Sequence, residues 1–325
     1  MRAHDLIAAW AALLRAPEAD IFRLVLRAPY QYKHYQIPKR TGGVRDIFHP
    51  TPNLKAIQRW LVANQLSALP VHDSVYSYRG GIGIRDHATV HLHSNFLLRL
   101  DFSDFFPSID EPWLREFLFT QVNLGRLAVD MDAIAILIRV LCRFNKIDRS
   151  MALSIGAPSS PMLSNAVLFE VDERITQQCA ALDCIYTRYA DDLYVSTRIP
   201  NRLRDADATL RTIIAEFAPR LRVNEKKTIN VSKKTTRVVT GLVITPDRHV
   251  SIGREMKRSI KTQIYLASIG ALGAEDSSRL GGLIAYVRDV EPSFYSSLLA
   301  KFGEEVLEHV FRRCLQPIQN EASAV

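Results

Sequence analysis

The sequence lacks the features that mark membrane, secreted and zinc-finger proteins. Its four cysteines form no CxxC pair, so we expect buried free thiols in a reducing compartment. No apolar run approaches the ~18 residues that a transmembrane helix needs. Asp5 interrupts the region where a secretory signal requires clean positive charge. We therefore expect a cytoplasmic protein with no membrane partner.

Acidic residues are scarce in one segment. The whole chain carries 42 Lys and Arg against 34 Asp and Glu, a formal charge of +8. Between Arg220 and Thr262, twelve bases face three acids, so that segment carries +9 and the other 282 residues sum to −1. A localised basic segment on a nearly neutral body indicates a polyanionic partner, most often a nucleic acid.

Internal repeats and low-complexity tracts are also absent, and 47% hydrophobic with 23% charged residues is typical of a globular chain. Residues 95 to 101 form a strand-like run that ends in Asp101. Two further β-type runs flank Ala190-Asp191-Asp192, which predicts a hairpin with an acidic tip. With helices between these strands, the order from residue 95 to 223 favours a βαββαβ sheet and an α+β fold.

The acids of this predicted sheet are the first candidates for chemistry. In a βαββαβ sheet the first and third strands are central neighbours, so Asp101 is expected beside Asp191. Converging carboxylates repel each other unless they are protonated or bridged by a cation, and hard oxygen ligands suit Mg²⁺. Two such ions clamp an in-line displacement at phosphorus. The plain alternative is a solvated turn, because Asp tolerates turn geometry.

Four ordered motifs carry a family resemblance. They are "IPKRTGGVRDIFHP" at 37–50, "LRLDFSDFFPSI" at 98–109, "GAPSSPMLSN" at 156–165 and "YADD" at 189–192. Together they resemble the reverse transcriptases across roughly residues 30 to 245. Val239-Thr240-Gly241 looks like the VTG signature of the retron reverse transcriptases.

The resemblance implies a right-hand polymerase with fingers, a ferredoxin-like βαββαβ palm and a helical thumb. The implied fingers are residues 1–95 and 109–156, the palm is 96–108 and 157–245, and the RNA-binding thumb is 246–325. Asp101, Asp191 and Asp192 would be the catalytic triad. Asp101 and Asp191 would bridge two Mg²⁺ ions, the Phe102 carbonyl would help hold one, and Asp192 would support the primer-end ion.

The same resemblance implies a set of nucleotide-binding residues. Lys39 and Arg45 flank a Gly-Gly turn in the motif that grips the triphosphate, and cations there suit phosphate oxygens. Phe106 falls where these polymerases place an aromatic gate that excludes a ribose 2′-OH; the alternative is a core aromatic. Gly156 begins a nucleotide-side motif, and Lys227 is expected near the leaving pyrophosphate, with Lys226 as the alternative.

Two positions depart from the family pattern. Ile155 stands where the family usually has Gln, so a contact to the nucleotide or the template is lost or replaced. His87 stands where the retron enzymes usually have Asn, in a motif whose final His91 is retained. The three acids of the implied triad are all present. An inactive relative would be expected to lose these acids first.

A basic stripe follows the predicted sheet. Arg254, Lys257, Arg258 and Lys261 are spaced at i, i+3, i+4 and i+7, so they share one side of a helix. A charge run is usually a solvated face, but a stripe without interleaved acids favours a phosphate backbone. We predict RNA contacts at this stripe and at Thr240 and Gly241.

The leading hypothesis is a retron RNA-directed DNA polymerase. The resemblance implies synthesis from a guanosine 2′-OH of a cognate structured RNA, giving branched RNA–DNA (msDNA) from dNTPs, in an anti-phage defence system with an effector protein. One alternative is another small reverse transcriptase, of diversity-generating or abortive-infection type. A second is a non-catalytic RNA-binding scaffold on the same fold.

Overall fold

A computed structural model describes residues 1–38 and 42–315 of the chain. The first and last elements of the described residues are helices. The helices are α1 Ala3–Leu14, α2 Glu18–Arg27, α3 Pro52–Asn64, α4 Ile84–Val90, α5 Phe105–Ser108, α6 Glu111–Asn123, α7 Ile134–Leu141, α8 Ser160–Val167, α9 Phe169–Ala181, α10 Arg202–Phe217, α11 Arg254–Ser268, α12 Ala274–Val290, α13 Pro292–Phe302 and α14 Glu304–Leu315. Short 3₁₀ turns occupy Ala28–Tyr30, Leu66–Ala68, Met131–Ala133 and Glu225–Lys227.

The strands are short and lie between these helices. They are β1 Tyr32–Pro38, β2 Val44–Pro50, β3 Phe96–Ser103, β4 Arg143–Phe144, β5 Met151–Ala152, β6 Cys184–Tyr189, β7 Asp192–Thr197, β8 Arg222–Val223, β9 Ile229–Ser232, β10 Arg237–Val239, β11 Leu242–Ile244 and β12 Val250–Ser251. This mixture of elements confirms the α+β class.

The chain divides into two compact units. Unit 1 comprises Met1–Gly81 and Leu98–Asn230, and unit 2 comprises Ile82–Leu97 and Val231–Val325. The acidic motifs all lie in unit 1, whereas the basic stripe lies in unit 2. The division into fingers, palm and thumb at the boundaries given above stays a prediction.

The main sheet of unit 1 has the strand order β6-β7-β3-β8, and β9 also pairs with β3. In order of appearance these are the second, third, first and fourth strands, which is the ferredoxin-like arrangement. The first and third strands, β3 and β7, are therefore the central neighbours that the sequence predicted. β6 and β7 form the expected antiparallel hairpin, in register from Cys184↔Thr197 to Tyr189↔Asp192.

Helices α9 and α10 pack on this sheet. In α10, apolar side chains recur at helical spacing and are buried: Leu203, Ala206, Leu210, Ile213 and Ile214. In α9, the buried stripe is Val171, Asp172, Ile175 and Cys179. The carboxylate within that apolar stripe is an exception, because a buried charge needs a partner.

The remainder of unit 1 surrounds a helical core. Helix α7 contributes five of its buried side chains, and α1, α3 and α8 contribute three each. The rings of Trp10 and Trp60 meet edge to face at 6.4 Å between centroids. The hairpin of β1 and β2 pairs in register from Tyr32↔Pro50 to Pro38↔Val44. Lys39, a predicted triphosphate ligand, lies outside the described residues.

Unit 2 combines a small sheet with helices. Its strands run in the order β10-β11-β12, and α4 packs on them. Helices α11 to α14 follow, as the sequence predicted. None of the described helices is long and apolar enough to cross a membrane. Cys142, Cys179 and Cys184 are free and buried, as expected, whereas the side chain of Cys314 lies outside the described set.

Candidate active site

The hairpin between β6 and β7 closes with the two-residue loop Ala190-Asp191. Ala190 has φ +55°, the left-handed conformation that short hairpin loops require at their first position. For a residue with a Cβ, this conformation costs about 1–2 kcal/mol. The surrounding structure must therefore hold the turn that carries Asp191.

The tip of the hairpin lies directly against the end of β3. The Phe102 N–H donates to the Asp191 carbonyl at 3.0 Å, and the Asn224 N–H donates to the Asp101 carbonyl at 2.7 Å. Asp101 therefore lies between the tip of the hairpin and the chain that follows β8. Its side chain is almost completely buried. The predicted convergence of Asp101 and Asp191 follows from the strand order.

Lys227 lies directly on Asp101. Its Nζ is 2.9 Å from both carboxylate oxygens, while more than half of the lysine side chain remains exposed. Lys226, the alternative that the sequence left open, is exposed next to it. The geometry favours Lys227 as the lysine of the acidic site.

Asp192 has a different partner. Arg99, two residues before Asp101 on β3, donates to both of its carboxylate oxygens at 2.8–3.0 Å. This is a bidentate pair, the geometry in which Arg binds carboxylates most strongly. Asp192 is thus held at the edge of the acidic group in this conformation, and Arg99 is a site residue that the sequence did not indicate.

Burial raises the pKa of both acids at the tip. For Asp191 the nearby Asp101 carboxylate raises the pKa further, while Lys227 and Arg45 oppose the shift. For Asp192, burial raises the pKa to about 6, although Arg99 opposes the shift. The protein alone therefore does not fully compensate the negative charge at the tip, which is the electrostatic condition that favours a bound cation.

The donors present fit a hard divalent cation. Asp101, Asp191 and the Phe102 carbonyl would offer oxygen ligands, the type that Mg²⁺ prefers. Within the described part of the chain, no cluster of three or more His, Cys, Asp or Glu side chains is arranged to hold a metal ion. The fit therefore rests on the Asp101–Asp191 pair, with Asp192 turned towards Arg99.

The predicted nucleotide-binding residues are distributed around this tip. Arg45 is exposed on β2 and acts electrostatically on Asp191. Phe106 is half-buried and packs against the helical core, so its position is compatible with a sugar gate and with a core aromatic alike.

The backbone conformation at position 156 favours glycine. Gly156 has φ +109°, and a Cβ there would lie 3.0 Å from both the Ile47 side chain and the Phe48 carbonyl. At Ile155, the departure from the family pattern, the carbonyl accepts the Phe48 N–H at 2.8 Å. The motif therefore positions the β1–β2 hairpin through backbone contacts.

The predicted RNA-binding residues lie in unit 2 and differ in their surroundings. Arg254 and Arg258 are exposed on α11. Lys257 instead pairs with Glu291 at 2.5 Å, and both Lys257 and Lys261 lie over the Phe294 ring, at 5.1 and 5.5 Å. The stripe is thus divided between two exposed arginines and two lysines with partners inside the unit.

The VTG signature is the turn between β10 and β11. Val239 pairs with Leu242, which leaves Thr240 and Gly241 as a two-residue loop with φ +46° and +84°. Positive φ at both positions is the type I′ pattern, which suits a tight hairpin. A contact of this turn with RNA stays a prediction.

Sequence reasoning missed the residues that hold the β6–β7 hairpin. Arg188 and Asp172 form a fully buried ion pair at 2.6 Å, and Ser77 and Asn165 lie beside it. Two signals could have indicated the ion pair: an acid in the apolar stripe of α9, and an arginine within a mostly buried strand. Both are buried charges, which need partners.

Comparison with known proteins agrees with these motifs. Residues 37–244 match the family described as reverse transcriptase (RNA-dependent DNA polymerase). The chain is 37% identical over 299 residues to the Retron Ec83 reverse transcriptase of Escherichia coli, covering 90% of this chain and 94% of that one. It is 35% identical to the Retron Ec73 reverse transcriptase of the same organism, over 87% and 90% of the two chains.

Solved structures resemble the chain more distantly. Telomerase from Candida albicans in complex with a fragment of telomeric RNA aligns with a TM-score of 0.47 and 15% identity, over 87% of this chain and 60% of that one. The family assignment rests on the match over residues 37–244 and on the identity to the retron enzymes. With the acidic motifs on neighbouring central strands of a ferredoxin-like sheet, the chain belongs to the retron reverse transcriptases and is an RNA-directed DNA polymerase.

Proposed function

We propose that this polymerase reverse transcribes a structured RNA of its own, starting from a guanosine 2′-OH and leaving branched RNA–DNA (msDNA). The observation that carries the chemistry is the hydrogen bond from the Phe102 N–H to the Asp191 carbonyl, which sets the two acidic strand ends side by side. The choice of primer and the branched product rest on membership of the retron enzymes. A role in anti-phage defence, together with an effector protein, rests on the same analogy.

The acids have assigned roles in this proposal. Asp101 and Asp191 would hold two Mg²⁺ ions with help from the Phe102 carbonyl, and Asp192 would support the primer-end site. When bound, such ions lower the pKa of an attacking hydroxyl and stabilise charge on phosphoryl oxygens. The ribose hydroxyl gives its proton to water as its oxygen forms a bond to the α-phosphorus of a dNTP. The bond between the α-phosphorus and the bridging oxygen breaks, and pyrophosphate leaves.

The neighbouring residues bind and orient the nucleotide. We assign to Lys227, whose Nζ is 2.9 Å from the Asp101 carboxylate, the stabilisation of the charge that develops on pyrophosphate. Lys39 and Arg45 hold the triphosphate. The ring of Phe106 excludes a ribose 2′-OH from the incoming nucleotide, which selects dNTPs.

The decisive experiment is to sequence the nucleic acid that co-purifies with the protein when it is expressed with its flanking chromosomal DNA. We expect a short DNA whose 5′ end is joined to RNA and is released by a debranching enzyme. Linear DNA with a free 5′ end would instead indicate another kind of small reverse transcriptase.

Asp191→Asn is the matched control, because it removes one ligand charge and changes no packing volume. We expect RNA to co-purify with this variant but no DNA. Loss of several kcal/mol of charge stabilisation corresponds to a rate decrease of roughly 10³-fold or more. DNA synthesis near the wild-type rate by Asp191→Asn would reject the assigned acids. Primer extension on a generic RNA template with Mg²⁺ tests the scaffold alternative, which predicts no extension by either protein.

A further inference from the structure

In the acidic turn, the peptide groups on both sides of Ala190 form hydrogen bonds with buried side chains. The Ala190 N–H donates to the Ser77 Oγ at 2.8 Å, and the Ala190 carbonyl accepts from the Arg188 Nη1 at 3.2 Å. That carbonyl belongs to the peptide that leads into Asp191. Since Ala190 has positive φ, these bonds fix a conformation that alanine does not favour.

Arg188 is itself fixed in orientation. It is fully buried, and its Nε and Nη2 bind both carboxylate oxygens of Asp172, with distances of 2.8 and 2.6 Å for the shortest contacts. The Tyr186 hydroxyl also donates to Asp172 at 2.8 Å. An apolar pair of similar volume often stabilises a fold as well as a buried ion pair does. The orientation of the guanidinium is what an apolar pair would not supply.

Asn165 links this arginine to the serine. The Arg188 Nη1 donates to the Asn165 Oδ1 at 3.2 Å, and the Asn165 Nδ2 donates to the Ser77 carbonyl at 3.0 Å. Arg188, Asn165, Ser77 and Ala190 therefore form a closed ring of hydrogen bonds around the turn. Hydrogen bonds in such a buried network reinforce one another.

The segment that carries Ser77 is anchored along the edge of β6. The Arg188 N–H donates to the Ser74 carbonyl and the Tyr76 N–H donates to the Arg188 carbonyl, each at 2.8 Å. At the start of the segment, His72 contacts both Ser74 and Glu173 at 2.8 Å. Ser77 thus approaches the turn from a segment that is held at both ends.

We propose that Ser77, Asn165 and Arg188 are positioning residues that set the orientation of the Asp191 carboxylate for the divalent cations. This inference rests on the proposed function, because it assumes that Asp191 is a metal ligand. The ring acts through the Ala190–Asp191 peptide and touches neither the nucleotide nor the reacting atoms. Its loss should weaken metal binding and slow the chemical step, while RNA binding stays unchanged.

Ser77→Ala is the test variant, because it removes a single hydroxyl from a fully buried side chain. Ser164→Ala is its matched control. Ser164 is equally buried, but its hydroxyl donates within α8 to the Pro161 carbonyl at 2.9 Å. Both variants change the same number of atoms at a comparable depth.

We expect Ser77→Ala to raise the Mg²⁺ concentration for half-maximal DNA synthesis about fivefold to tenfold, the effect of one hydrogen bond. The kcat should fall, and the KM for template–primer should not change. Binding of Mn²⁺ to the protein without dNTP, followed by electron paramagnetic resonance, should weaken by a similar factor. Ser164→Ala should behave as the wild type in all three measurements.

Asn165→Ala provides a second, independent measurement on the ring and should shift the metal dependence in the same direction. A wild-type metal dependence in Ser77→Ala, with or without a lower melting temperature, would overturn the positioning role. If Ser77→Ala does not fold, a wild-type metal dependence in Asn165→Ala overturns it instead. Asp191→Asn separates the two hypotheses: activity in that variant rejects the metal assignment itself, whatever Ser77→Ala does.

Discussion

The two units of the molecule differ in the titratable side chains that they bury most deeply. Unit 1 buries an ionised pair, Arg188 and Asp172, with each side chain about 1% exposed. Unit 2 buries His87 and His91, whose pKa values burial lowers to about 3, so both are neutral at pH 7. Arg254 and Arg258 of unit 2 are exposed on α11.

The difference reflects what each unit is proposed to do. A metal-binding carboxylate must be held within a fraction of an ångström, which requires buried, directional bonds. A surface that binds a phosphate backbone needs only exposed positive charge close to the phosphates. The attraction between them is electrostatic and does not depend on the RNA sequence. Four predictions test whether this contrast is real.

The largest effect is expected from ion pairs. Arg188→Leu leaves Asp172 charged and buried without its main partner, which costs about 3–5 kcal/mol. Lys257→Leu breaks a partly exposed pair whose acid still accepts the Ile252 N–H at 3.0 Å, so a loss of about 1 kcal/mol is expected. Urea denaturation of the two variants measures both values, and equal losses would erase the contrast.

Sugar selection should depend on unit 1 alone. Phe106→Ala opens space for a 2′-OH, and removal of a steric wall of this kind is worth roughly 1–3 kcal/mol. We expect the ratio of kcat/KM for dNTP over the matching rNTP to fall roughly tenfold to hundredfold. The salt dependence of RNA binding should not move. An unchanged ratio would assign Phe106 to the helical core only.

The buried histidines give unit 2 a pH dependence of its own. Their pKa values are about 3 in the folded state and about 6.5 in the unfolded state. The unfolded state therefore binds more protons between these values, and stability that is complete above pH 6.5 is lost as the pH falls.

Each histidine should account for a loss of about 1.3 kcal/mol between pH 7 and 5.5. His87→Asn, which introduces the residue that the family usually has, should remove about half of the loss due to the pair. Denaturation of both proteins at the two pH values tests this. An identical pH dependence would mean that His87 titrates normally in the folded protein.

The smallest effect is expected from the exposed arginines. Replacing Arg254 and Arg258 together with Gln should weaken RNA binding and reduce the slope of log K against log salt by about 1.5 units. The melting temperature should change little, because Gln keeps helix propensity. An unchanged slope would show that α11 presents only a solvated face. Lys257 is not replaced in this variant, because it forms an ion pair with Glu291.

Sequence patterns predicted the sheet because its signals are local and strong. Alternating apolar runs around Ala190 fixed the hairpin, and the order of elements placed Asp101 next to Asp191. The motifs also identified the family. Several bonds around the tip were not predicted, because they join residues far apart in the sequence. Arg99 and Asp192 are 93 positions apart, and Ser77 and Ala190 are 113 positions apart.

The basic stripe shows a second kind of limit. Spacing placed four cations on one side of α11 but did not reveal that α13 presents Phe294 to two of them, or that Glu291 just before it pairs with Lys257. Periodicity defines the side of a helix, whereas the partner of that side depends on tertiary packing. Lys257 and Lys261 therefore have contacts within unit 2 that compete with the RNA contacts predicted for them.

Gly156 has a consequence for how this enzyme tolerates mutation. Its backbone conformation is strained for any other residue, and the 3.0 Å approach of Ile47 and Phe48 would force these neighbours to shift. Every single-nucleotide missense change of this codon therefore meets the same obstacle. In a library of random variants, position 156 should be depleted as strongly as the acidic positions, although glycine carries no functional group. A selection experiment would not distinguish Gly156 from a catalytic residue. Its role is to let the chain pass close to the β1–β2 hairpin without a side chain.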